Sequence, residues 1–430
     1  MARQMKDSGI EWIGQIPEEW HVSKIKNVYI VILGKMLSPS QTQKDQTLEN
    51  YLCAANIKWS GVDTSIQKQM WFSESDKAEY KLHEGDILIM EGGLAGTSCK
   101  YRGEMAPCFI QNSVHCCRAK SNYSNQFLYY WMNVVYNSKY IENICNKATI
   151  QHYTKEKVMN TPFLICSSLE QEKIVSYLDR KCAQIDAIIS KQQQIIEKLK
   201  EYKLSVITEA VTKGLDPNVP MKDSGVEWIG KIPEHWVTGK IKNFCNLKTG
   251  STPSTSNTEW FDGMIRWFTP GDFVETFILK DSARTLSQKA KDDMVAVIVP
   301  PNTVMIVGIG ATAGKIGYTM VECSCNQQIT AINTNKIMPK YLMYWMIANT
   351  KFLRDTAMFT TLPILNNQTI GNYLVMFPDD RNEEKEVVDY LDGKCDKIEI
   401  LIEAKKHEID RLHRYKKSII YEIVTGKMEV

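Results

Sequence analysis

Apolar residues recur in alternating steps of four and three positions along two stretches of the chain, 170–212 and 383–425. The average period of 3.5 residues, kept over about four heptads, predicts two coiled-coil helices rather than ordinary globular ones. Lysines interrupt the apolar seam at matching places, Lys203 and Lys416, and such polar residues often fix the register. The seam itself comprises Leu178, Ile185, Ile189, Ile196 and Leu199, and then Leu391, Ile398, Ile402, Ile409 and Leu412.

Both predicted helices have the same start signal. Ser167 with Glu170, and Asp380 with Glu383, show capping-box spacing, and a glycine follows each helix. Because both helices lie in one chain, pairing with each other is the simplest way to bury both seams. The sequence pattern does not determine whether the two helices run parallel or antiparallel. The alternative to pairing within the chain is a coiled coil between two chains.

The helices belong to an internal repeat. Residues 5–28 and 221–244 are identical at 17 of 24 positions with an offset of 216, and the helices match at an offset of 213. Trp20 and Trp236 lie in these repeated segments and are expected to anchor packing, as are Trp12 and Trp228. The repeat predicts a frame segment (1–26), a first insert (27–168), a helix (169–214), a second frame segment with linker (215–242), a second insert (243–381) and a C-terminal helix (382–430).

The two inserts have similar lengths but different sequences. Short stretches still correspond, GDILIMEGG (85–93) to NTVMIVGIG (302–310) and IQNSVH (110–115) to CNQQIT (325–330). These matches predict one mixed α/β fold in both inserts, with different surface residues. Since the frames stayed alike while the inserts diverged, we expect both frames to meet a common partner and each insert a different one.

Composition restricts the protein class. The 52 basic and 50 acidic residues nearly cancel, so a partner bound through phosphates must meet local patches. Twelve cysteines without a secretory leader favour a reducing cytoplasm over a disulfide framework. The longest apolar stretch, 294–311, is broken by Pro300 and Pro301, so we expect no membrane span.

The sequence contains partial matches to catalytic motifs, and none of them is complete. GIGATA (308–313) fits a dinucleotide fingerprint but is followed by a strand pattern instead of a helix. The cysteine pairs lack metal-site spacing and matched histidines. We therefore predict no catalytic residues, no metal site and no cofactor bound by this chain.

Polar loop residues in the inserts can read base edges or phosphates. Gln111 with Asn112, and Gln327 with Gln328, fall at the same point of the repeat. The candidate DNA-binding residues are Asn56, Lys58, Thr97, Lys100, Arg102, Gln111, Asn112, Gln151 and His152 in the first insert, and Thr252, Arg266, Thr312, Lys315, Gln327, Gln328, Thr361, Asn366 and Asn367 in the second.

The pattern MKDSG-x-EWIG-x-IP-x-x-W, a variable domain and EQEKIVSYLD leading into a heptad helix, all repeated once, resembles the specificity (S) subunit of type I restriction-modification systems. The resemblance implies an α+β protein with two globular target-recognition domains and two long helices that form an antiparallel coiled coil and space those domains. It also implies double-stranded DNA, two methyltransferase (M) subunits and, through them, restriction (R) subunits as partners. S-adenosylmethionine, ATP and Mg²⁺ would belong to those partners.

Two other functions are compatible with parts of the sequence. A protein–protein adaptor would carry two unlike binding modules on a coiled-coil spacer, and it would show no sequence-dependent footprint on DNA. An enzyme ranks last, because the chain lacks a recognisable catalytic motif.

Overall fold

The computed structural model describes residues 3–145, 151–274, 276–355, 358–359 and 363–430. The chain divides into two compact units. The first comprises Met1–Gln192 and Lys406–Val430, and the second comprises Gln193–Lys405. Each unit therefore contains one frame segment, one insert and a part of both long helices.

The first unit begins with an antiparallel hairpin in which Met5 pairs with Pro17. In chain order, the strands and helices of this part of the chain are β1 (Met5–Asp7), β2 (Gln15–Pro17), β3 (His21–Lys24), α1 (Ile25–Val28), β4 (Tyr29–Leu33), β5 (Thr47–Leu52), β6 (Ile57–Lys58), β7 (Gly61–Val62), β8 (Gln69–Phe72), α2 (Glu74–Tyr80), β9 (Ile87–Met90), β10 (Ser98–Lys100), β11 (Phe109–Ile110), β12 (Val114–Ala119), α3 (Asn125–Asn137), α4 (Tyr140–Ile144), α5 (Lys155–Asn160), β13 (Pro162–Ile165) and α6 (Ser168–Lys213).

The second unit repeats the hairpin, with Met221 paired with Pro233. Its further elements are β14 (Met221–Asp223), β15 (Lys231–Pro233), β16 (Val237–Lys240), α7 (Ile241–Phe244), β17 (Asn246–Thr249), β18 (Phe261–Phe268), β19 (Arg284–Leu286), α8 (Gln288–Asp292), β20 (Ile298–Val299), β21 (Thr303–Val307), β22 (Ile316–Thr319), β23 (Cys323–Cys325), β24 (Ile329–Asn333), α9 (Pro339–Ala348), α10 (Thr350–Asp355), β25 (Met358–Phe359), β26 (Pro363–Ile364), α11 (Asn367–Asn372), β27 (Leu374–Phe377) and α12 (Arg381–Val424).

Within the described residues, both inserts contain the same four-stranded antiparallel sheet. The strand order is β10-β9-β12-β4 in the first insert and β22-β21-β24-β17 in the second. A second sheet also corresponds in the two inserts. In the first insert, β5 pairs in parallel with β11 and antiparallel with β8. In the second insert, β18 pairs in parallel with β23 and antiparallel with β19. The second insert adds β20 beside β23. The prediction of one mixed α/β fold in both inserts is confirmed.

One buried hydrophobic cluster in each unit joins the frame segment, the insert and both long helices. In the first unit Trp20 of the frame lies in one buried cluster with Trp131 of α3, Leu178 of α6 and Ile423 of α12. The corresponding cluster of the second unit contains Trp236, Trp345, Ile207 and Leu391. These tryptophans are almost completely buried, which fits the large apolar area that an indole removes from water.

The long helices run antiparallel within each unit. In the first unit the Lys416 side chain of α12 donates to Asp186 of α6 at 2.7 Å. Ile174, which precedes Asp186 in α6, shares a cluster with Ile423, which follows Lys416 in α12. Moving backwards along α6 therefore corresponds to moving forwards along α12. In the second unit the bond between Lys203 and Glu399 repeats this ion pair at the repeat offset of 213. The lysines that interrupt the apolar seam thus pair with carboxylates of the facing helix.

All ten apolar seam residues are shielded from solvent. Leu178, Ile185, Ile196, Leu391, Ile398 and Ile402 are buried, and Ile189, Leu199, Ile409 and Leu412 are half-buried. No helix among the described residues is long and apolar enough to cross a membrane.

Candidate nucleic-acid interface

A polar turn lies at one end of the four-stranded sheet in the first insert, between β11 and β12. Gln111 accepts hydrogen bonds from the backbone and hydroxyl of Ser113, and its amide donates to Asn112. Two neighbouring loops hold this turn, because Asn112 N–H donates to Lys35 at 2.9 Å and Glu91 N–H donates to Ser113 at 2.9 Å. We call this surface the first edge, and it comprises residues 34–35, 91–92, 111–113 and 151–152.

The corresponding turn of the second insert connects β23 and β24. Ser251 N–H donates to the Cys325 carbonyl at 2.9 Å, and Gly308 N–H donates to the Gln328 carbonyl at 2.7 Å. The Thr252 hydroxyl donates to the side-chain oxygen of Gln327. We call this surface the second edge, and it comprises residues 249–252, 308–312, 326–328 and 365–367.

A glycine allows the first loop of each edge to approach its turn. A Cβ on Gly34 would lie 2.4 Å from the Gln111 carbonyl oxygen, and a Cβ on Gly250 would lie 2.2 Å from that of Cys325. No real side chain tolerates such distances to a backbone oxygen, so only glycine fits there. The same close approach at the same repeat position supports the structural equivalence of the two edges.

The side chains on the two edges are mainly neutral hydrogen-bonding groups. Beneath the first edge, burial lowers the pKa of His115 to about 4. The imidazole is therefore neutral, and its Nε2 bonds the Tyr153 carbonyl at 2.8 Å. On the second edge, Asn367 accepts hydrogen bonds from Thr249 at 3.1 Å and Thr330 at 2.8 Å. Amide and hydroxyl groups held in this way suit recognition of base edges.

Several candidate residues lie on these edges. They are Gln111, Asn112, Gln151 and His152 on the first edge, and Thr252, Thr312, Gln327, Gln328, Asn366 and Asn367 on the second. Asn366 is also the N-cap of α11, where it accepts from Thr369 N–H at 2.8 Å. Lys315 lies beyond the second edge, is exposed and donates to the Phe273 carbonyl at 2.9 Å.

Two candidates are corrected by their burial. Asn56 is fully buried, and its amide bonds the Cys53 backbone and the Asp63 and Ile66 carbonyls, so the side chain serves the local turn. Thr97 is 4% exposed and lies beneath its loop. Neither side chain is available to a ligand at the surface.

Other candidates lie away from the edges. Lys58 bonds Asp63 at 2.5 Å, and this bond, with those from Ser65, lowers the pKa of Asp63 to about 2. Arg266 lies on β18, 3.6 Å from Asp281. Thr361 lies outside the described residues.

Lys100 and Arg102 line a separate cleft of about 770 Å³ between the first insert and the coiled coil of the same unit. Trp59, His413 and Lys417 contribute to its lining as well. Sequence reasoning did not select these three residues. For His413 and Lys417 the only local signal is a basic run beside the heptad seam, which is typical of a solvated helix face.

The helix-start signals differ from the prediction in two respects. The Asp380 side chain accepts from the Asn382 N–H at 3.0 Å and not from that of Glu383. Ser167 accepts from the Glu170 N–H at 3.2 Å, as a cap does. The Glu170 carboxylate, however, accepts the indole N–H of Trp20 at 2.8 Å, and Glu383 accepts that of Trp236 at 2.9 Å. The glutamates of both capping boxes therefore fasten the frame segments to the helices.

Among the described residues, no group of three or more His, Cys, Asp or Glu side chains could hold a metal ion. All twelve cysteines are free thiols. Burial raises the pKa of several of them, that of Cys99 to about 12 for example, which suits packing rather than nucleophilic reactivity.

A family model described as "Type I restriction modification DNA specificity domain" matches residues 17–202 and 233–411. The two matches correspond to the two copies of the repeat. Together they cover well over half of the chain.

Individual relatives agree with this match. The type I restriction enzyme MjaIX specificity subunit of Methanocaldococcus jannaschii is 30% identical over 198 residues, or 43% of each chain. The putative type I restriction enzyme MjaX specificity subunit of the same organism is 22% identical over 97% of this chain and 96% of its own length. A chain from a structure described as the "structural basis underlying complex assembly" of the type I R-M system has a TM-score of 0.71 at 14% identity, covering 96% of this chain and 99% of that one.

Proposed function

The chain belongs to the family of type I restriction-modification specificity subunits, and from this premise we propose that it reads an asymmetric, two-part DNA sequence with its two unlike inserts. Each insert would contact one half of the target through its edge. The chain itself would be non-catalytic. Reading base edges needs donors and acceptors at fixed positions, which both edges offer.

One observation carries this proposal. At the same turn of the same sheet, the first edge presents Gln111, Asn112 and Ser113 where the second presents Asn326, Gln327 and Gln328. The neighbouring loops differ as well, with Lys35 beside Gly34 and Ser251 beside Gly250. A common scaffold with different side chains is what two unlike half-sites require.

The repeated frames support a second part of the proposal, that the chain holds two methyltransferase subunits and, through them, restriction subunits. Each unit carries the same hairpin and the same tryptophan–glutamate contact, so it presents similar surfaces to identical partners. S-adenosylmethionine, ATP and Mg²⁺ would bind to those partner subunits and not to this chain.

The proposal is tested by exchanging residues 27–168 for the corresponding insert of a relative. The complex with its methyltransferase should then methylate a sequence that differs in one half only, as read by genome-wide mapping of methylated adenines. The reciprocal exchange of residues 243–381 should alter only the other half. A change in both halves, or in neither, would contradict the assignment, and absence of any sequence-dependent footprint would favour the adaptor function.

A further inference from the structure

We propose that the cleft of the first unit binds the phosphate backbone of the DNA, and that the second unit lacks an equivalent phosphate site. This inference rests on the proposed function, since it names the DNA groups that this part of the protein would contact. The cleft, called the first cleft below, is lined by Trp59, Lys100, Arg102, Tyr136, His413 and Lys417, among others.

Positive charge is in excess in the first cleft. Its lining contains four lysine or arginine side chains and two carboxylates. One pair is already formed, because Lys416 bonds Asp186 at 2.7 Å. The side chains of Lys100, Arg102 and Lys417 form no salt bridge among the described residues, although the Glu104 carboxylate accepts from the Arg102 backbone N–H at 2.6 Å. Uncompensated cations that converge on one cleft attract an anionic occupant.

The counterpart of the first cleft in the second unit is divided into two smaller clefts of about 340 and 250 Å³. Their linings together contain four lysines and three carboxylates. Lys340 bonds Asp392 at 2.5 Å, and Lys203 bonds Glu399. At the repeat offset of 213, Lys417 corresponds to Leu204. The two units therefore differ in charge at an otherwise repeated position.

The wall of the first cleft is fixed before any ligand arrives. Trp59 packs edge-on against Tyr136 with 5.4 Å between the ring centroids. The Tyr129 hydroxyl donates to the Trp59 carbonyl at 3.0 Å, which ties the β6–β7 hairpin to α3. Asn133 and Asn137 add amide groups to the same lining. Aromatic surface beside cations suits a sugar–phosphate strand, because the sugar packs on the rings while the phosphates meet the charges.

Charge complementarity favours an anionic occupant, and we choose DNA over an acidic protein segment because the first edge, which we propose to read bases, belongs to the same unit as the cleft. Phosphate contacts of this kind fix position without carrying sequence information. We therefore expect the first cleft to strengthen binding to every sequence equally. The second half of the target would depend on its edge alone.

The experiment uses the complex of the full chain with its methyltransferase. The triple variant Lys100→Gln, Arg102→Gln, Lys417→Gln is compared with wild type for DNA affinity at several salt concentrations. Each lost phosphate contact should lower the slope of log K against log salt by about 0.9. The affinity for cognate and unrelated DNA should fall by the same factor, and the methylated sequence should not change.

Matched controls separate this effect from misfolding. Lys280→Gln in the second unit should leave the slope unchanged, and the triple variant Lys100→Arg, Arg102→Lys, Lys417→Arg should keep the wild-type slope. A wild-type slope in the glutamine variant would overturn the phosphate site, as would a loss confined to cognate DNA. A wild-type complex without sequence-specific methylation would instead contradict the proposed function.

Discussion

Trp20 donates its indole N–H to the carboxylate of Glu170 at 2.8 Å, although 150 positions separate the two residues in the chain. Trp236 and Glu383 repeat this contact at 2.9 Å in the second unit. Trp20 is fully buried, so its N–H must have an acceptor inside the protein. The contact fixes each frame segment to the first turn of a long helix.

The first prediction concerns this contact. Glu170→Ala should lower the free energy of unfolding by about 1.5–3 kcal/mol, because it removes a hydrogen bond to a charged acceptor and leaves a buried donor unpaired. Chemical denaturation of the purified chain measures the change. Glu172→Ala, at an exposed position of the same helix, should stay within about 0.5 kcal/mol of wild type. Equal effects of the two substitutions would show that the contact contributes nothing.

The second prediction concerns the close approach beneath each edge. Gly34→Ala would place a methyl group 2.4 Å from the Gln111 carbonyl, so the turn has to shift. We expect a loss of about 1–3 kcal/mol in stability, typical of overpacking, and relaxed methylation of the first half-site only. Gly250→Ala should affect only the other half, as sequencing of methylated DNA would reveal.

Gly393→Ala is the control for both variants. Gly393 lies inside α12, and a Cβ there would meet nothing within 4 Å. Alanine favours a helix over glycine, so this variant should be neutral or more stable by up to about 1 kcal/mol. Unchanged half-site preferences in Gly34→Ala and Gly250→Ala would show that the edges do not depend on these turns.

Sequence periodicity was sufficient to find the long helices and the repeat, because both are local or directly repeated patterns. The 3.5-residue period placed helices over 170–212 and 383–425, and the structure has them at Ser168–Lys213 and Arg381–Val424. The shared fold of the inserts was predictable for the same reason, since a few strand motifs survived divergence.

Other features depend on distant residues and were not predictable. Glu170 has the spacing of a capping box, but the sequence cannot show that a tryptophan 150 positions away competes for its carboxylate. Asn56 and Gln111 are both polar residues in turns, yet the first is buried by its own loop and the second lies on the edge. The position of Lys417 in a cleft could not be predicted, because that cleft is formed together with residues of the first insert, which are distant in the chain.

A third prediction follows from a difference between the first turns of the two long helices. Glu384 is 1% exposed, accepts from Met338 N–H at 2.9 Å, and pairs with Arg381 at 2.6 Å. Burial raises its pKa, and the pairing with Arg381 only partly opposes this effect. The first unit has the neutral Gln171 at the same position, where it accepts from Ser124 N–H at 3.0 Å.

Glu384→Gln should therefore stabilise the second unit at pH 7.5 by about 1 kcal/mol, or about 2–4 °C in Tm. The folded pKa of Glu384 lies above the unfolded one, so the cost of its charge is present at high pH and disappears as the carboxyl is protonated. The advantage of the variant should accordingly vanish near pH 4, as thermal unfolding at both pH values would measure. Gln171→Glu should show the opposite sign, and a lower Tm for Glu384→Gln at pH 7.5 would contradict the argument.

The last prediction concerns a single base contact. Gln327 is exposed, and its side-chain oxygen is occupied by the Thr252 hydroxyl, while no protein acceptor among the described residues bonds its amide nitrogen. An amide held by one partner is oriented to donate to a base acceptor such as adenine N7 or guanine O6. Gln327→Ala should therefore relax the preference at one position of one half-site by about 1–3 kcal/mol.

Thr252→Val should weaken the same preference by freeing the amide to rotate, whereas Gln288→Ala, on the exposed helix α8, should leave it intact. Methylation measured on a library of targets, each with one randomised position, gives the preference directly, and equal relaxation in both half-sites would exclude Gln327 as a reader of one half.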